Sequence, residues 1–271
     1  MLYQRVLTAI PLAAFIFWII FFQPASVFFY FVLFVVTISA YEWARLSGIQ
    51  NIPMRCCFAI LLTAGVFLFQ WYADQYIIWL IYLSAGWWFL VTVFLSKAHP
   101  KQVYDELKVG RLLAAIIVLP AAAYAMHAIH AMPRGAEWLF YALSLVWVAD
   151  IGAYFAGKKF GKHKLAPNIS PGKTKEGLAG AVIMTTLYTL MLGQYFSLMI
   201  EQLALLTLLS IIVTFISVSG DLYFSFLKRE AGLKDSGNIL PGHGGILDRV
   251  DSVLAAMPVF LIGFTFIVSK V

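Results

Sequence analysis

Acidic and basic side chains recur at helical spacing in residues 221–251. Asp221, Ser225 and Arg229 stand at positions i, i+4 and i+8, so they share one face if a single helix runs through them. Asp248 and Asp251 stand three residues apart, which again places two carboxylates on one helical face. The pattern predicts two acid-bearing helix ends that are joined by a polar loop.

The chemistry that suits these residue types is a divalent cation bridging phosphate oxygens. Mg²⁺ prefers hard oxygen ligands and is commonly held by one or two carboxylates, with substrate phosphates completing its coordination. Basic side chains neutralise the remaining phosphate charge, and glycine lets backbone N–H groups approach an anion closely. The segment supplies four bases and two adjacent glycines for this purpose: Lys228, Arg229, Lys234, Arg249, Gly244 and Gly245.

Two points about this segment stay open. His243 is either a general base or a phosphate contact that orders the loop, and an anionic phosphate nucleophile needs no base. A merely solvated loop would explain Asp248 and Asp251, because aspartates are favoured at a helix N-terminus. That alternative does not explain Asp221 inside the preceding apolar span, so we favour a phosphate site.

A second polar segment, residues 157–176, holds six lysines beside Ser170 and Thr174. Its Gly-Lys-Thr stretch at 172–174 invites comparison with a P-loop. Pro167 stands where that motif requires a glycine, and no strand is predicted before it, so we exclude a P-loop. We instead predict that Ser170, Lys173 and Thr174 contact the phosphates of a bound nucleotide.

Three carboxylates lie within apolar stretches: Glu42, Asp150 and Asp221. An ionisable side chain at mid-bilayer costs about 2.5–3.5 kcal/mol on insertion scales, so each needs a partner, a cavity or a metal. For Glu42 we favour snorkelling to the interface or pairing with Arg45, one turn further along. Asp150 is left open between a structural and a functional role, and Asp221 is expected to be functional.

The elements that position these residues are membrane helices. The chain has 271 residues, of which 62% are hydrophobic and 12% charged, whereas a soluble domain has about 25% charged residues. Lipid must therefore solvate most of the chain, and the adjacent Cys56 and Cys57 imply no disulfide framework. We predict an all-α polytopic membrane protein with about nine spans: residues 6–22, 25–46, 54–73, 76–96, 111–131, 137–156, 177–200, 202–224 and 253–270.

Lysine and arginine orient these spans. With the N-terminus in the cytoplasm, 17 of the 19 basic residues fall in cytoplasmic segments and only Arg134 and Lys270 fall outside. This asymmetry predicts a cytoplasmic N-terminus and an outside C-terminus. The net charge of +6 then reflects topology and anionic substrates, and no nucleic acid is expected as a partner.

The two long polar loops lie in the second half of the chain, so we divide the chain into two parts. Residues 1–136 are expected to anchor the protein, with a lipid entrance or dimer contacts as further roles. Residues 137–271 are expected to form the catalytic helices, with cytoplasmic loops 157–176 and 225–252.

The stretch Ser225–Asp251 resembles the signature of the phosphatidate cytidylyltransferase family, also called CDP-diacylglycerol synthases. None of its 27 residues departs from that signature. A second block also resembles the family, in three pieces: Asp150–Tyr154, Gly157–Gly161 and Ser170–Gly177. Residues before about 140 match only as generic membrane helices.

This resemblance implies transfer of a cytidylyl group from CTP to phosphatidic acid, giving CDP-diacylglycerol and pyrophosphate at the inner membrane. It implies Mg²⁺, with K⁺ as a possible companion, at Asp221 and Asp248, and it implies a homodimer. Asp150 and Asp251 are further candidate metal ligands. The predicted catalytic set is Asp221, Asp248, Lys173, Arg249 and His243, and the predicted substrate contacts are Ser170, Lys173, Thr174, Ser225, Lys228, Arg229, Lys234, Gly244 and Gly245.

Two other functions stay open from sequence. A CTP-dependent polyprenol or lipid kinase would use similar residues but would release CDP. A transporter of anionic solutes would also bury acids, although such proteins often contain inverted repeats, and this chain shows no repeat.

Overall fold

The computed structural model describes residues 2–95, 98, 100, 107–239 and 244–268. Within these residues the chain forms nine α-helices and one short β-hairpin. The helices are α1 (Leu2–Phe22), α2 (Ala25–Leu46), α3 (Ile52–Tyr72), α4 (Ile77–Leu95), α5 (Val109–Ala131), α6 (Gly135–Phe160), α7 (Lys175–Tyr195), α8 (Ile200–Glu230) and α9 (Leu247–Val268).

The helices confirm the prediction of a polytopic α-helical membrane protein. In the described part of the chain, eight of them are long and apolar enough to cross a bilayer, and Ile10–Phe22 of α1 is a shorter apolar stretch. α6 continues past its predicted end to Phe160, and α7 ends early, at Tyr195. The largest boundary differences lie at α8, which continues past residue 224 to Glu230, and at α9, which begins at Leu247 and not at residue 253. Both extensions carry polar side chains beyond the apolar stretch, so hydrophobicity alone could not mark their ends.

A β-hairpin lies between α6 and α7, in the segment predicted as loop. Strand β1 (Lys164–Ala166) pairs antiparallel with strand β2 (Ser170–Thr174), with Lys164 opposite Thr174. The expectation that no strand precedes the Gly-Lys-Thr stretch is therefore wrong. A P-loop stays excluded on the missing glycine at position 167, and this hairpin lacks the buried parallel strand of that motif.

The helices differ in how far they are buried. α9 and α5 are mostly buried inside the bundle, whereas α3, α4 and α7 expose most of their apolar surface. Packing is most extensive between α6 and α7 and between α8 and α9. Gly152 and Gly180 let α6 and α7 approach closely, because a Cβ on Gly152 would lie 2.7 Å from the carbonyl oxygen of Gly180.

Buried hydroxyl groups fix α8 against α6 and α7. The hydroxyl of Tyr141 lies 2.8 Å from both Thr189 Oγ1 and Ser210 Oγ, and Thr214 donates to Thr185 at 3.1 Å. All five side chains are buried. Interhelical hydrogen bonds of this kind hold membrane helices in register, so they set the position of α8 relative to the hairpin.

Polar contacts also join the ends of α2, α5 and α8. Arg111 forms an ion pair with Glu230, and its Nη1 donates to the carbonyl of Leu46 at 2.8 Å. The backbone N–H of Lys108 donates to the carbonyl of Ser47 at 2.9 Å. The end of α8 is thus held by an early part of the chain as well as by its neighbours α7 and α9.

Candidate functional site

Two lysine–aspartate pairs lie where the hairpin, α8 and α9 meet. Lys173 Nζ of β2 lies 2.7 Å from Asp221 Oδ2 of α8. Lys228 Nζ, two turns further along α8, lies 2.7 Å from Asp248 Oδ1 in the first turn of α9. Sequence positions 173, 221, 228 and 248 are therefore brought together in space, as the prediction of one shared site requires.

Asp221 is held from both of its carboxylate oxygens. Ser225 Oγ donates to Oδ1 at 3.3 Å, which confirms that α8 continues far enough to place both side chains on one face. Lys173 bonds to the other oxygen, and its Nζ also lies 3.4 Å from the carbonyl of Val218. These contacts fix the Lys173 ammonium at the wall of α8.

Backbone N–H groups that precede α9 hold the carboxylate of Asp248. Its Oδ2 accepts hydrogen bonds from the backbone N–H groups of Ser236 at 2.8 Å and Gly245 at 3.1 Å. Gly244 has a φ of 81°, a left-handed conformation that glycine adopts without strain. Gly244 and Gly245 thus shape the turn around Asp248, and their predicted contact with substrate stays a prediction.

Asp150 and Asp251 surround Asp221 without bonding to it. Asp150 of α6 is exposed and interacts electrostatically with Asp221 and Lys173. Asp251 of α9 is buried, accepts a hydrogen bond from the backbone N–H of Ser252 at 2.7 Å, and repels Asp221. Four acids and two lysines therefore form one charge network, in which Lys228 also attracts Asp221 and Asp251.

A cavity of about 250 Å³ opens beside the first lysine–aspartate pair. Its charged lining comes from Asp150, Lys173 and Asp221, and its apolar lining includes Leu165 and Val218. A cavity with both kinds of wall can receive a charged head group that carries an apolar chain.

Thr174 has a structural contact that the sequence did not predict. Its buried hydroxyl accepts a hydrogen bond from the N–H of Gly177 at 3.0 Å and so caps the N-terminus of α7. Glu176 in the same turn accepts from the N–H groups of Lys162 and His163 at 3.1 and 3.2 Å. The two contacts hold Lys173 in place, and direct binding of substrate by Thr174 stays a prediction.

The remaining predicted residues lie around the paired charges. Ser170 is half-buried at the start of β2, and Arg229, Lys234 and Arg249 are exposed near the end of α8 and the start of α9. Their substrate contacts stay predictions. His243 lies outside the described residues.

The arrangement of carboxylates bears on the predicted metal. In the described ranges, no three histidine, cysteine, aspartate or glutamate side chains lie close enough to hold a metal ion. The four predicted ligands are therefore not gathered around one point. Mg²⁺ does not require such a cage when substrate phosphates complete its coordination. The hard oxygens of Asp221 and Asp248, each set by a lysine, fit that requirement.

Glu42 is the residue that the sequence interpretation missed. It neither snorkels nor pairs with Arg45: it is 1% exposed, and its partners are Ser236, Ile246 and Leu247. Arg45 instead lies 3.4 Å from the carbonyl of Ser236. The sequence did contain a signal, because an acidic residue within an apolar span usually has a functional role. Arg45, one turn away, offered a simpler explanation as a local ion-pair partner.

Comparison with known proteins agrees with the features described so far. The model of the cytidylyltransferase family matches residues 3–267. A phosphatidate cytidylyltransferase of Pseudomonas aeruginosa is 39% identical over 96% of this chain and 96% of its own length. Another, of Haemophilus influenzae, is 37% identical over 98% of this chain and its whole length, and one of Bacillus subtilis is 50% identical over 46% of each chain. The chain, with its paired lysines and aspartates, therefore belongs to the cytidylyltransferase family.

Proposed function

We propose that this protein transfers a cytidylyl group from CTP to phosphatidic acid, forming CDP-diacylglycerol and pyrophosphate. The observation that carries the proposal is the pairing of Lys173 with Asp221 and of Lys228 with Asp248 at one end of a membrane bundle. Lys173, Lys228 and Asp248 fall in segments that resemble the family signature, and the same resemblance implies a metal role for Asp221. The relatives that match over nearly their full length carry the name of this activity.

The reaction joins two anions, so its main obstacle is electrostatic. An oxygen of the phosphatidate phosphate attacks the α-phosphorus of CTP. The bond from that phosphorus to the oxygen bridging the β-phosphorus breaks, and pyrophosphate leaves with the electron pair. The nucleophile is already charged, so no side chain has to remove a proton. Positioning and charge neutralisation then supply most of the rate enhancement.

Lys173 and Lys228 are the cations best placed for this neutralisation. Each is fixed by a carboxylate at 2.7 Å, so little side-chain freedom is lost when a phosphate binds. Lys173 lines the cavity beside Asp150, and Lys228 faces the amide-lined turn before α9. Arg229 and Arg249 are exposed nearby and are proposed to attract the incoming nucleotide.

Mg²⁺ is proposed as the cofactor, held by Asp221 and Asp248. When bound it would neutralise phosphate oxygens of the nucleotide. Support comes from the oxygen chemistry of the two side chains and from their place among lysines. The companion K⁺ and the homodimer are further proposals that rest on the family resemblance.

The nucleotide requirement tests the proposed function directly. Purified protein with phosphatidate and Mg²⁺ is expected to form lipid-linked product from CTP at least about 100-fold faster than from ATP, GTP or UTP, because a site with hydrogen bonds to one base rejects others strongly. Pyrophosphate should appear in equal amount to the lipid product. Release of CDP would instead indicate a kinase, and uptake of an anion into vesicles without CTP would indicate a transporter.

We further propose that the site faces the cytoplasm from the inner membrane. Support comes from the 17 of 19 basic residues that the predicted topology assigns to cytoplasmic segments, and from Glu42, Asp221 and Asp248, which the same topology puts near the cytoplasmic surface. Alkaline phosphatase fused after Val271 is expected to be active outside, whereas the same reporter after Ser236 should be inactive. If alkaline phosphatase fused after Val271 is inactive, and green fluorescent protein fused at the same point is fluorescent, the C-terminus is cytoplasmic and this orientation is wrong.

A further inference from the structure

Glu42 is a buried carboxylate whose partners all lie about two hundred residues further along the chain. It sits in the last turns of α2 and is 1% exposed. Its Oε2 accepts from Ser236 Oγ and from the N–H of Leu247, both at 2.8 Å, and its Oε1 accepts from the N–H of Ile246 at 3.2 Å. Three neutral donors satisfy the charge, and the described contacts include no cation.

These contacts make Glu42 a cap for a helix other than its own. The first N–H groups of a helix have no partner within that helix, and an acceptor side chain normally supplies one. Leu247 is the first residue of α9, so a carboxylate here satisfies its N–H group and also interacts favourably with the helix dipole. α2 thereby fixes where α9 begins.

The same turn holds the carboxylate of Asp248. Ser236 donates its hydroxyl to Glu42 and its backbone N–H to Asp248, so one residue serves both acids. The N–H of Gly245 points to Asp248, whereas the next two N–H groups point to Glu42. A Cβ on Gly245 would collide with the Glu42 carboxylate, which shows how tightly the turn wraps around it.

We infer that Glu42 is a positioning residue that sets the Asp248 carboxylate against Lys228. This inference rests on the proposed function and extends it to the first half of the chain, where the resemblance to the family signature gave no site residue. Glu42 does not itself meet substrate, because it is buried and both of its oxygens are bonded. It acts through Ser236 and residues 245–247, and the carbonyl of Ser236 also accepts a hydrogen bond from Arg45.

Glu42→Gln tests the inference, because the amide keeps the size of the side chain but turns one acceptor into a donor that faces N–H groups. The Mg²⁺ concentration for half-maximal activity is expected to rise about 10-fold, and kcat/KM to fall about 10- to 100-fold, as for other residues that orient a metal ligand. The assay is run far below the unfolding temperature. A general loss of stability in the variant would then leave the half-saturating Mg²⁺ concentration unchanged. In protein without nucleotide, hydrogen exchange at the N–H groups of Ile246 and Leu247 should accelerate.

Two further variants sharpen the test. Ser236→Ala removes the hydroxyl that donates to Glu42 but keeps the N–H that donates to Asp248, and it should shift the half-saturating Mg²⁺ concentration in the same direction by about 3-fold. The double variant with Glu42→Gln should show less than the product of the two effects, because both variants remove one contact. Glu137→Gln, at the other end of the bundle, is the charge-matched control and should leave both measurements unchanged.

The outcomes separate this inference from the proposed function. Wild-type protein that makes no CDP-diacylglycerol would defeat the proposed function, while hydrogen exchange would still report on the positioning of α9. Active wild-type protein with wild-type Mg²⁺ dependence and exchange in Glu42→Gln would overturn the inference. If Glu42→Gln does not fold, Ser236→Ala decides, and an unchanged Mg²⁺ dependence in that variant overturns it equally.

Discussion

Replacing Asp221 with asparagine is expected to lower kcat/KM for CDP-diacylglycerol formation by about 100-fold or more. The amide keeps the shape of the side chain and can still accept a hydrogen bond from Ser225. It loses the charge that holds the Lys173 ammonium at 2.7 Å and that is proposed to hold Mg²⁺. Initial rates with labelled CTP and phosphatidate in mixed micelles would measure the effect over a range of Mg²⁺ concentrations.

Glu201→Gln is the matched control for this variant. Glu201 is an exposed carboxylate in the first turn of the same helix, at the end remote from the site. The substitution makes the same chemical change and should leave kcat/KM within about 2-fold of wild type, as expected for a surface position. Near-normal activity in Asp221→Asn, at Mg²⁺ concentrations where wild type is not saturated, would show that Asp221 has no part in the reaction.

Lys228→Met is expected to reduce both activity and stability. Lys228 and Asp248 are 13% and 10% exposed, so removal of the ammonium leaves a nearly buried carboxylate without its cation. Such a loss costs about 3–5 kcal/mol in soluble proteins, and the unfolding midpoint in detergent should fall accordingly. Activity should fall about 100-fold, because a phosphate loses a positioned positive charge.

A second substitution separates the two effects of Lys228→Met. In Lys228→Met with Asp248→Asn, neither charge remains, and the amide oxygen can still accept from the N–H groups of Ser236 and Gly245. Most of the lost stability should return, whereas activity should stay low, because the double variant lacks both the proposed phosphate-binding cation and a proposed Mg²⁺ ligand. If activity returns together with stability, the pair serves only folding, and the proposed role of Lys228 in phosphate binding is wrong.

Local periodicity accounts for the parts of the site that were predicted from sequence. Asp221 and Ser225 share a face because α8 continues to Glu230, and Asp248 and Asp251 share a face because α9 begins at Leu247. Such relations depend on a few neighbouring residues, so one sequence is enough to find them. Thr174 also carried a local signal, since threonine is a favoured N-cap and α7 begins at the next residue.

Relations across the whole chain could not be found in the same way. Glu42 bonds to Ser236 and Leu247, which lie far from it in sequence. The basic residue nearest to it in sequence is Arg45, and that neighbour suggested a local ion pair. Periodicity places a residue on a face of its helix but does not identify the element that the face meets. The hairpin was missed for a related reason, because its strands have only three and five residues, which is too short to show an alternating pattern, and β2 contains Pro171 and Gly172.

The length of α8 makes the reaction centre sensitive to bilayer thickness. At a rise of 1.5 Å per residue its 31 residues reach about 46 Å, whereas the hydrocarbon core is about 30 Å thick. Glu201 in the first turn and Lys228 in the last resist entry into hydrocarbon, so a thinner or thicker membrane is accommodated by tilting the helix. α8 packs extensively on α9 and is hydrogen-bonded to α6 and α7, so these helices are expected to tilt together. Hydrophobic mismatch with the surrounding lipids is therefore expected to change the depth of the whole site in the membrane interface, and not the distance between Asp221 and Asp248.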